Sequence, residues 1–352
     1  MNSRLRTSGL VCLCLALCLS ASASTATFQI VEDPITDTWS SLALSGNGDV
    51  MAANYGGEIY RWTAISGFQD LGPGDPFSSS IGISRDGSAI ISGYIGSDGY
   101  SRPAIWRSTG LTDLGHPLNG SPAVGNSWGS GYSLNANGTV AVGIAWTHQD
   151  AEGFAWTEST GNVSLGHPAG AHSSRATAIS ANSATIVGFW EDVTGPRRPV
   201  RWVDGKHDLF LGSKTLGEAA AVTSNGKKIV GQYYDPQNNG IAFLYSDSRG
   251  LTSLGTLRQG RYEQSMANAI ADNGTVVGWS GDPFGHGIDA FVWTPAGGMV
   301  GVARMLRQSG AKIPAGTTLY TADSISADGT TLAGQYFDAQ GHFGNWLAHI
   351  NK

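Results

Sequence analysis

From about residue 40 onward, short apolar and β-branched runs alternate with clusters of Gly, Asn, Asp and Ser. The segment Met266 to Thr294, MANAIADNGTVVGWSGDPFGHGIDAFVWT, shows the pattern in full. An alternating run (Asn268 to Ala271) meets Asp272-Asn273-Gly274 and returns through a β-branched run (Thr275 to Gly278), with a third run at Ala290 to Thr294. Period-two alternation broken by Asn-Gly predicts a hairpin with a two-residue type I′ turn, in which both central residues have φ > 0. Three strands are expected, the third reached through a longer polar loop.

The segment is one copy of a repeat. The residue closing the first turn recurs at Gly48, Gly87, Gly138, Ser183, Gly226, Gly274 and Gly329, in steps of 39 to 55 residues. A glycine ends the second strand at Gly93, Gly143, Gly188, Gly231, Gly278 and Gly334, with Ala53 in the first copy, and a third-strand aromatic recurs at Trp62, Trp106, Trp156, Trp202, Tyr245, Trp293 and Trp346. A short fourth strand ends in Leu-Gly (Leu71-Gly72, Leu114-Gly115, Leu165-Gly166, Leu211-Gly212, Leu254-Gly255), and the sixth copy has Met299-Val300-Gly301. The seventh copy lacks a fourth strand, while Phe28 to Glu32 precedes the first copy and belongs to none. Seven four-stranded units with a period in the forties predict an all-β, seven-bladed β-propeller over residues 25–352, its ring closed by the N-terminal strand. The copies start near residues 39, 78, 129, 175, 218, 266 and 321. A parallel β-helix has shorter turns and gives no reason for a spare first strand to match a missing last one.

Two departures stand out. Asn182-Ser183 replaces the turn glycine in the fourth copy, which predicts a different turn or strain at Ser183. Before the seventh copy, Arg304 to Ser309 reads as helical, with Gly310 as its C-terminal cap.

Composition narrows the class. Glycine contributes 50 of 352 residues without a three-residue period, so many tight turns are implied and collagen is excluded. Residues 1–24 read as an export signal: Arg4 and Arg6, the apolar run Leu10 to Leu19, and Ala21-Ser22-Ala23 for cleavage near residue 23. An exported protein, periplasmic or extracellular, is expected. All three cysteines (Cys12, Cys14, Cys18) fall inside that segment, which leaves no disulfide and no thiol chemistry beyond it. Leu17 stands before Cys18 where a lipoprotein signal carries a small residue. The 21 basic against 27 acidic residues become 19 against 27 once Arg4 and Arg6 are removed, a balance of −8 that disfavours nucleic acid as a partner. No other apolar stretch is long enough to span a membrane.

Ala242-Phe243, Phe154-Ala155-Trp156, Ala290-Phe291-Val292-Trp293 and the hairpin Ala322 to Gly329 (Ala-x-x-Ile-Ser-x-Asp-Gly) resemble the HAF family of extracellular repeat proteins. The segment from Met305 through Gly310 into Ala322 to Ser326 is similar to that family's final unit. The family's histidine position holds Ile241 and Asp289. The resemblance implies an exported repeat protein and carries no catalytic residues.

In a propeller, turns between strands one and two and between three and four share a face, and the remaining loops share the other. Here the second set is long (73–79, 116–130, 191–198, 235–240, 256–265), so a site is expected on that face. Trp39, Trp128, Trp146, Trp190 and Trp279, joined by Tyr234, Tyr336 and Phe337, fall at or beside it. Exposed rings there would stack sugars or grip a peptide; otherwise they cap blade tops. The ligand-binding candidates are Trp146, Trp190, Tyr234, Trp279 and Tyr336. Asp192, Asp235, Asp282 and Asp338 each follow the second-strand glycine by four residues and read as turn formers, or else as a carboxylate ring for a hard cation. His116, His148, His167, His172, His286 and His342 map to the same loops without metal-ligand spacing on a common strand. Gly125 to Gly129 matches G-x-S-x-G but lacks the strand and helix that a nucleophile elbow needs. No catalytic residue, metal or cofactor is expected. The expected function is binding of a carbohydrate or protein partner, the alternatives being a lyase or glycosidase at the channel mouth or a structural surface protein.

Overall fold

The computed structural model describes residues 26–35, 40–115, 129–146, 151–168, 170–283 and 287–351. The expected export signal, Trp39, Trp128, His116, His148 and His286 lie outside them. Seven four-stranded antiparallel sheets form a β-propeller. The inner strands are Ser40–Leu44, Gly82–Ile83, Gly129–Leu134, Ala171–Ile179, Gly217–Val222, Gln264–Ile270 and Thr318–Ile325, and each touches the inner strands of its neighbours around a closed ring. The core lies between blades rather than within them. Ala52 and Ile59 of blade one pack with Ile90, Ala104 and Trp106 of blade two, and Val187 of blade four with Ala219, Ile229 and Phe243 of blade five.

The N-terminal strand, Ala26–Val31, is the outermost strand of blade seven and pairs antiparallel with Phe343–Ile350, so the ring closes as the spare-strand argument requires. A buried polar latch holds the seam. Asn345, fully buried, donates from Nδ2 to Asp33 Oδ1 (3.0 Å), to Ser40 Oγ (2.9 Å) and to the Tyr55 hydroxyl, which itself donates to Asp33. Burial raises the Asp33 carboxyl above its usual range despite the donors from Tyr55 and Asn345, and burial, then the Asp33 charge, raises the Tyr55 phenol.

The first hairpin turn differs from the type I′ expectation. Of Asn273 and Gly274, only the glycine has positive φ (92°), and Gly274 N–H returns to the Ala271 carbonyl at 2.9 Å. The chemistry of the repeated residues explains this. In blade one the Ser45 hydroxyl donates to Asn47 Oδ1 (2.7 Å) and accepts Val50 N–H (3.0 Å), while Asn47 Oδ1 accepts Asp49 N–H (3.2 Å). Ser84 and Asp86, Ser180 and Asn182, Thr223 and Asn225, and Ser326 and Asp328 repeat the arrangement. The side chains supply the acceptors that a two-residue turn would take from backbone, and so stabilise a longer one. Blade six has Ala271 at the hydroxyl position and closes one residue earlier, Ala271 N–H to the Thr275 carbonyl at 2.9 Å. Ser183 holds φ 63°, the strained conformation expected at that position, and its hydroxyl accepts Asn135 Nδ2 at 2.9 Å.

A second difference concerns the aromatics. Six of the seven pair with the first or second residue of strand two, as Trp106 does with Ile90, but Trp346 pairs with Gly334. That is the register of Phe154 on Gly143, Phe243 on Gly231 and Phe291 on Gly278, so the seventh copy carries Ala348 where the others have Trp or Tyr. The helix forms as expected at Val302–Gln308, burying Val302 and Leu306, with Gly310 at φ 86° beyond its end.

Candidate binding face and central channel

The inner strands of blades three to seven each carry a β-bulge, and the extra residues are Tyr132, Thr177, Ala220, Asn268 and Asp323. All five line the central channel. A bulge re-aims its residue and pushes the strand backbone toward its neighbour. The recurring second-strand glycine accommodates this push: a Cβ at Gly143, Gly188, Gly231, Gly278 or Gly334 would overlap the carbonyl oxygen of Ser130, Arg175, Glu218, Met266 or Thr321 respectively. Blade one has no bulge, and Ala53 takes the place of glycine. In blades three to seven the repeated glycine and the bulged channel-facing residue are thus two sides of one feature, while blade two keeps Gly93 without a bulge in its pairing.

The channel has two unlike halves. Toward the short-turn face, Leu44, Ile83, Leu134, Ile179, Val222, Ile270 and Ile325, one from each blade, line a constriction of about 170 Å³. Beyond them Arg85 of blade two reaches Asp272 of blade six (Nη1 to Oδ2, 3.1 Å) and donates to the Ser224 hydroxyl of blade five. Backbone hydrogen bonds link the turns around it, including Gly46 to Arg85, Ala136 to Ala181, Asp272 to Ala327 and Ala327 to Gly46, at 2.8 to 3.1 Å. Toward the long-loop face the channel widens to a well of about 410 Å³, lined by Leu42, Ile81, Met266, Tyr132, Arg175, Glu218, Asn268 and Asp323 among others. The channel is therefore widest on the long-loop side and narrows toward the short turns, where the Arg85 contacts cross it.

Charge in the well is distributed unevenly. Arg175 lies 3.6 Å from Glu218, with its guanidinium 5.0 Å over the Tyr132 ring and 4.4 Å over Phe189. Arg197 covers the same phenylalanine at 4.3 Å and bridges Glu191 (2.7 Å) and Glu218 (3.0 Å). Burial works against the charged form of Glu191, but hydrogen bonds from Arg197 and Ser173 outweigh it and hold its carboxyl below the usual range. Asp323 has no such partner: among the described residues its donors are Thr321 Oγ1 (2.8 Å to Oδ2) and Asn268 Nδ2 (3.2 Å to Oδ1). Enclosed by the ring while still touching channel solvent, it is raised from 3.8 to about 6 by burial, against the pull of those two donors.

Glu218 also lines a cleft of about 490 Å³ between blades four and five, with Glu191, Pro196, Arg197, Gln232, Tyr234 and Asn238. Here the sequence candidates separate. Tyr234, 42% exposed, sits on the cleft, and Trp146, 43% exposed, stands at the end of its strand in blade three without lining either cavity. Trp190 is 7% exposed and packs with Val142, Ala176 and Trp202 under the Arg198 guanidinium (5.0 Å), so its ring serves the core. Trp279 is half-buried opposite Met266 and Ala290, and Tyr336 packs against the core of blades six and seven. The five rings do not form one platform. Of the carboxylates, Asp192, Asp235 and Asp338 cap their own loops, accepting N–H of Thr194 (2.9 Å), Gln237 (2.9 Å) and Gln340 (2.8 Å), while Asp282 is buried. Asp338 also holds His342 Nδ1 at 2.9 Å. Among the described residues, no three His, Cys, Asp or Glu side chains converge as a metal site, and no helix is long and apolar enough to cross a membrane.

Tyr132, Arg175, Glu218, Asn268 and Asp323 were not legible as site residues from loop length. A signal was present in the repeat itself. Three residues before the turn-opening position (Ser45, Ser84, Asn135, Ser180, Thr223, Ala271 and Ser326), the copies read Leu42, Ile81, Tyr132, Thr177, Ala220, Asn268 and Asp323, a variable column two residues before one that is aliphatic in all seven.

No family model and no curated protein matches the chain. Solved structures do. The chain is similar to the β-propeller domain of the Trilobed protease from Pyrococcus furiosus, described as having an open velcro topology, at 11% identity and TM-score 0.59 over 90% of this chain and 98% of that one. It is similar to hydrazine synthase from Kuenenia stuttgartiensis at 12% identity and TM-score 0.53, over 90% and 96%. A TolB-like protein from Agrobacterium tumefaciens gives 16% identity and TM-score 0.46 over 66% and 88%. The likeness lies in the propeller fold.

Proposed function

We propose that the protein is an exported binding propeller, of the HAF-repeat type, that engages a carbohydrate or protein partner through its long-loop face. The observation that carries the reading is the cleft between blades four and five. It joins an exposed ring (Tyr234) to a fixed guanidinium and carboxylate pair (Arg197, Glu218) and to the amides Gln232 and Asn238. An aromatic face beside a few directed polar groups suits sugar hydroxyls or a peptide backbone. Ion pairing preorganises Arg197, since Glu191 and Glu218 hold it from two sides. The alternative, a lyase or glycosidase, draws on Asp323 and Glu218 lining one well, the first of them protonatable near neutral pH.

The reading is tested by screening the protein lacking residues 1–24 against glycan and peptide panels, beside Tyr234→Ala. A ligand whose affinity falls tenfold or more in the variant supports it. Equal binding by both proteins removes the cleft from consideration.

A further inference from the structure

The well and the cleft share Glu218, but the well contains a group that the cleft reading does not use. Asp323 is placed on the channel wall by a bulge in the inner strand of blade seven. Its two oxygens offer about four acceptor directions, and Thr321 and Asn268 supply one donor each. Both donors are neutral. The other charges lining the same well, Arg175 and Glu218, are engaged with each other, with Arg197 beyond them. The well therefore has one negative charge that the protein does not balance, in a passage narrowed on the far side by the seven aliphatic residues and crossed by the contacts of Arg85.

The rest of the wall indicates the shape of the missing counter-ion. Leu42, Ile81, Met266 and Ala220 give the well apolar stretches beside its polar ones. A group that fits such a passage has an apolar stem and a charged tip, as lysine and arginine side chains do. Asn268 spends its amide nitrogen on the Ala322 carbonyl and on Asp323, both at 3.2 Å. Its own carbonyl oxygen is then available as a second acceptor for an N–H-rich head.

We propose that the well receives the lysine or arginine side chain of a partner peptide lying on the long-loop face, with Asp323 as the counter-ion and Asn268 as a second acceptor. This rests on the binding reading above and names the chemistry of the partner. A cation brought to Asp323 favours its ionised form, so binding releases a proton below about pH 6 and strengthens as the pH rises through that value. Of the other titratable groups lining the well, Arg175 and Glu218 are ion-paired, and Tyr132 lies under the Arg175 guanidinium.

The probes are acetylated, amidated pentapeptides with a central lysine, arginine or norleucine between glycines, titrated calorimetrically into the protein lacking residues 1–24. The expected result is at least tenfold tighter binding of the lysine or arginine peptide than of the norleucine peptide, with the preference lost in Asp323→Asn and retained in Tyr234→Ala. Circular dichroism establishes that Asp323→Asn is folded. Equal affinity for the norleucine peptide overturns the proposal, as does an unchanged preference in Asp323→Asn. Binding of glucosamine oligomers through Asp323 without binding of either basic peptide assigns the well to an amino sugar and also overturns it. A ligand lost only in Tyr234→Ala would leave the cleft reading standing while the well reading fails.

Discussion

Asp323 provides a measurement of what the channel costs the fold. Its carboxyl is raised from 3.8 to about 6, so between those values the folded chain binds a proton that the unfolded chain releases. Stability from this group is fully present below 3.8 and is lost as the pH rises through about 6. The difference of about two pH units corresponds to roughly 3 kcal/mol at ~1.36 kcal/mol per unit. Asp323→Asn removes the charge and keeps the shape. The Thr321 hydroxyl and the Asn268 amide can reorient around a neutral amide, since a hydroxyl both donates and accepts. Urea unfolding of both proteins at about pH 4 and about pH 8 should show the variant gaining about 2–3 kcal/mol on the wild type across that range. In a thermal scan the same gain is roughly 3–5 °C for a chain of this size. A stability difference that does not change with pH would refute the reasoning, because it would mean that the carboxylate is solvated in the well as it is in water. A wild type that gains on the variant with rising pH would refute it more strongly, by requiring a cation beside Asp323.

Asn345→Leu strips the closing seam of its central donor and leaves the half-buried Asp33 carboxyl without that partner; urea unfolding should show a loss of roughly 1–3 kcal/mol. Gly278→Ala would place a methyl on the Met266 carbonyl and against the Phe291 ring, and is expected to cost about 2 kcal/mol or more by the same measurement. Arg85→Ala removes an ion pair whose two side chains are about 40% exposed, so its effect on stability should stay below about 1 kcal/mol.

The repeat carried the architecture because four-stranded blades impose the same demands seven times. A turn residue at Gly274, an aromatic at Trp293 and a Leu-Gly ending recur wherever the geometry recurs, and Phe28 to Glu32 was legible as the closing strand because it was the one piece left over. Two local readings gave way to side-chain chemistry. Asn273-Gly274 looks like a type I′ pair, but hydroxyl and Asx acceptors of the kind seen at Ser45 and Asn47 favour a wider turn, and blade six follows most of that plan even with Ala271. Trp346 looks like a copy of Trp293, but a shift of two residues keeps it on the same face of the strand and opposite a glycine, a difference that strand alternation cannot register. The site was harder. Tyr234 was legible as an exposed ring because aromatics on long loops stand out. Asp323 was missed because a bulge, which depends on how two strands press together, turns it into the channel, and in the sequence it reads as one more polar residue in an alternating run.

The strand that completes blade seven precedes every other described strand in the chain and pairs with the one that follows them all. Its pairing partner, and the Asn345 that pins Asp33, lie some 312 positions further along the chain. Contacts this distant in sequence form slowly, since the loop between them must first be ordered. Until residues 343–350 arrive, blade seven has no third strand, the ring has two open edges, and the inner strands have no fixed circumference. Chain order thus sets when the ring can close: the seam forms only once residues 343–350 are available to pair with residues 26–31, and that contact completes the ring of blades that surrounds Asp323.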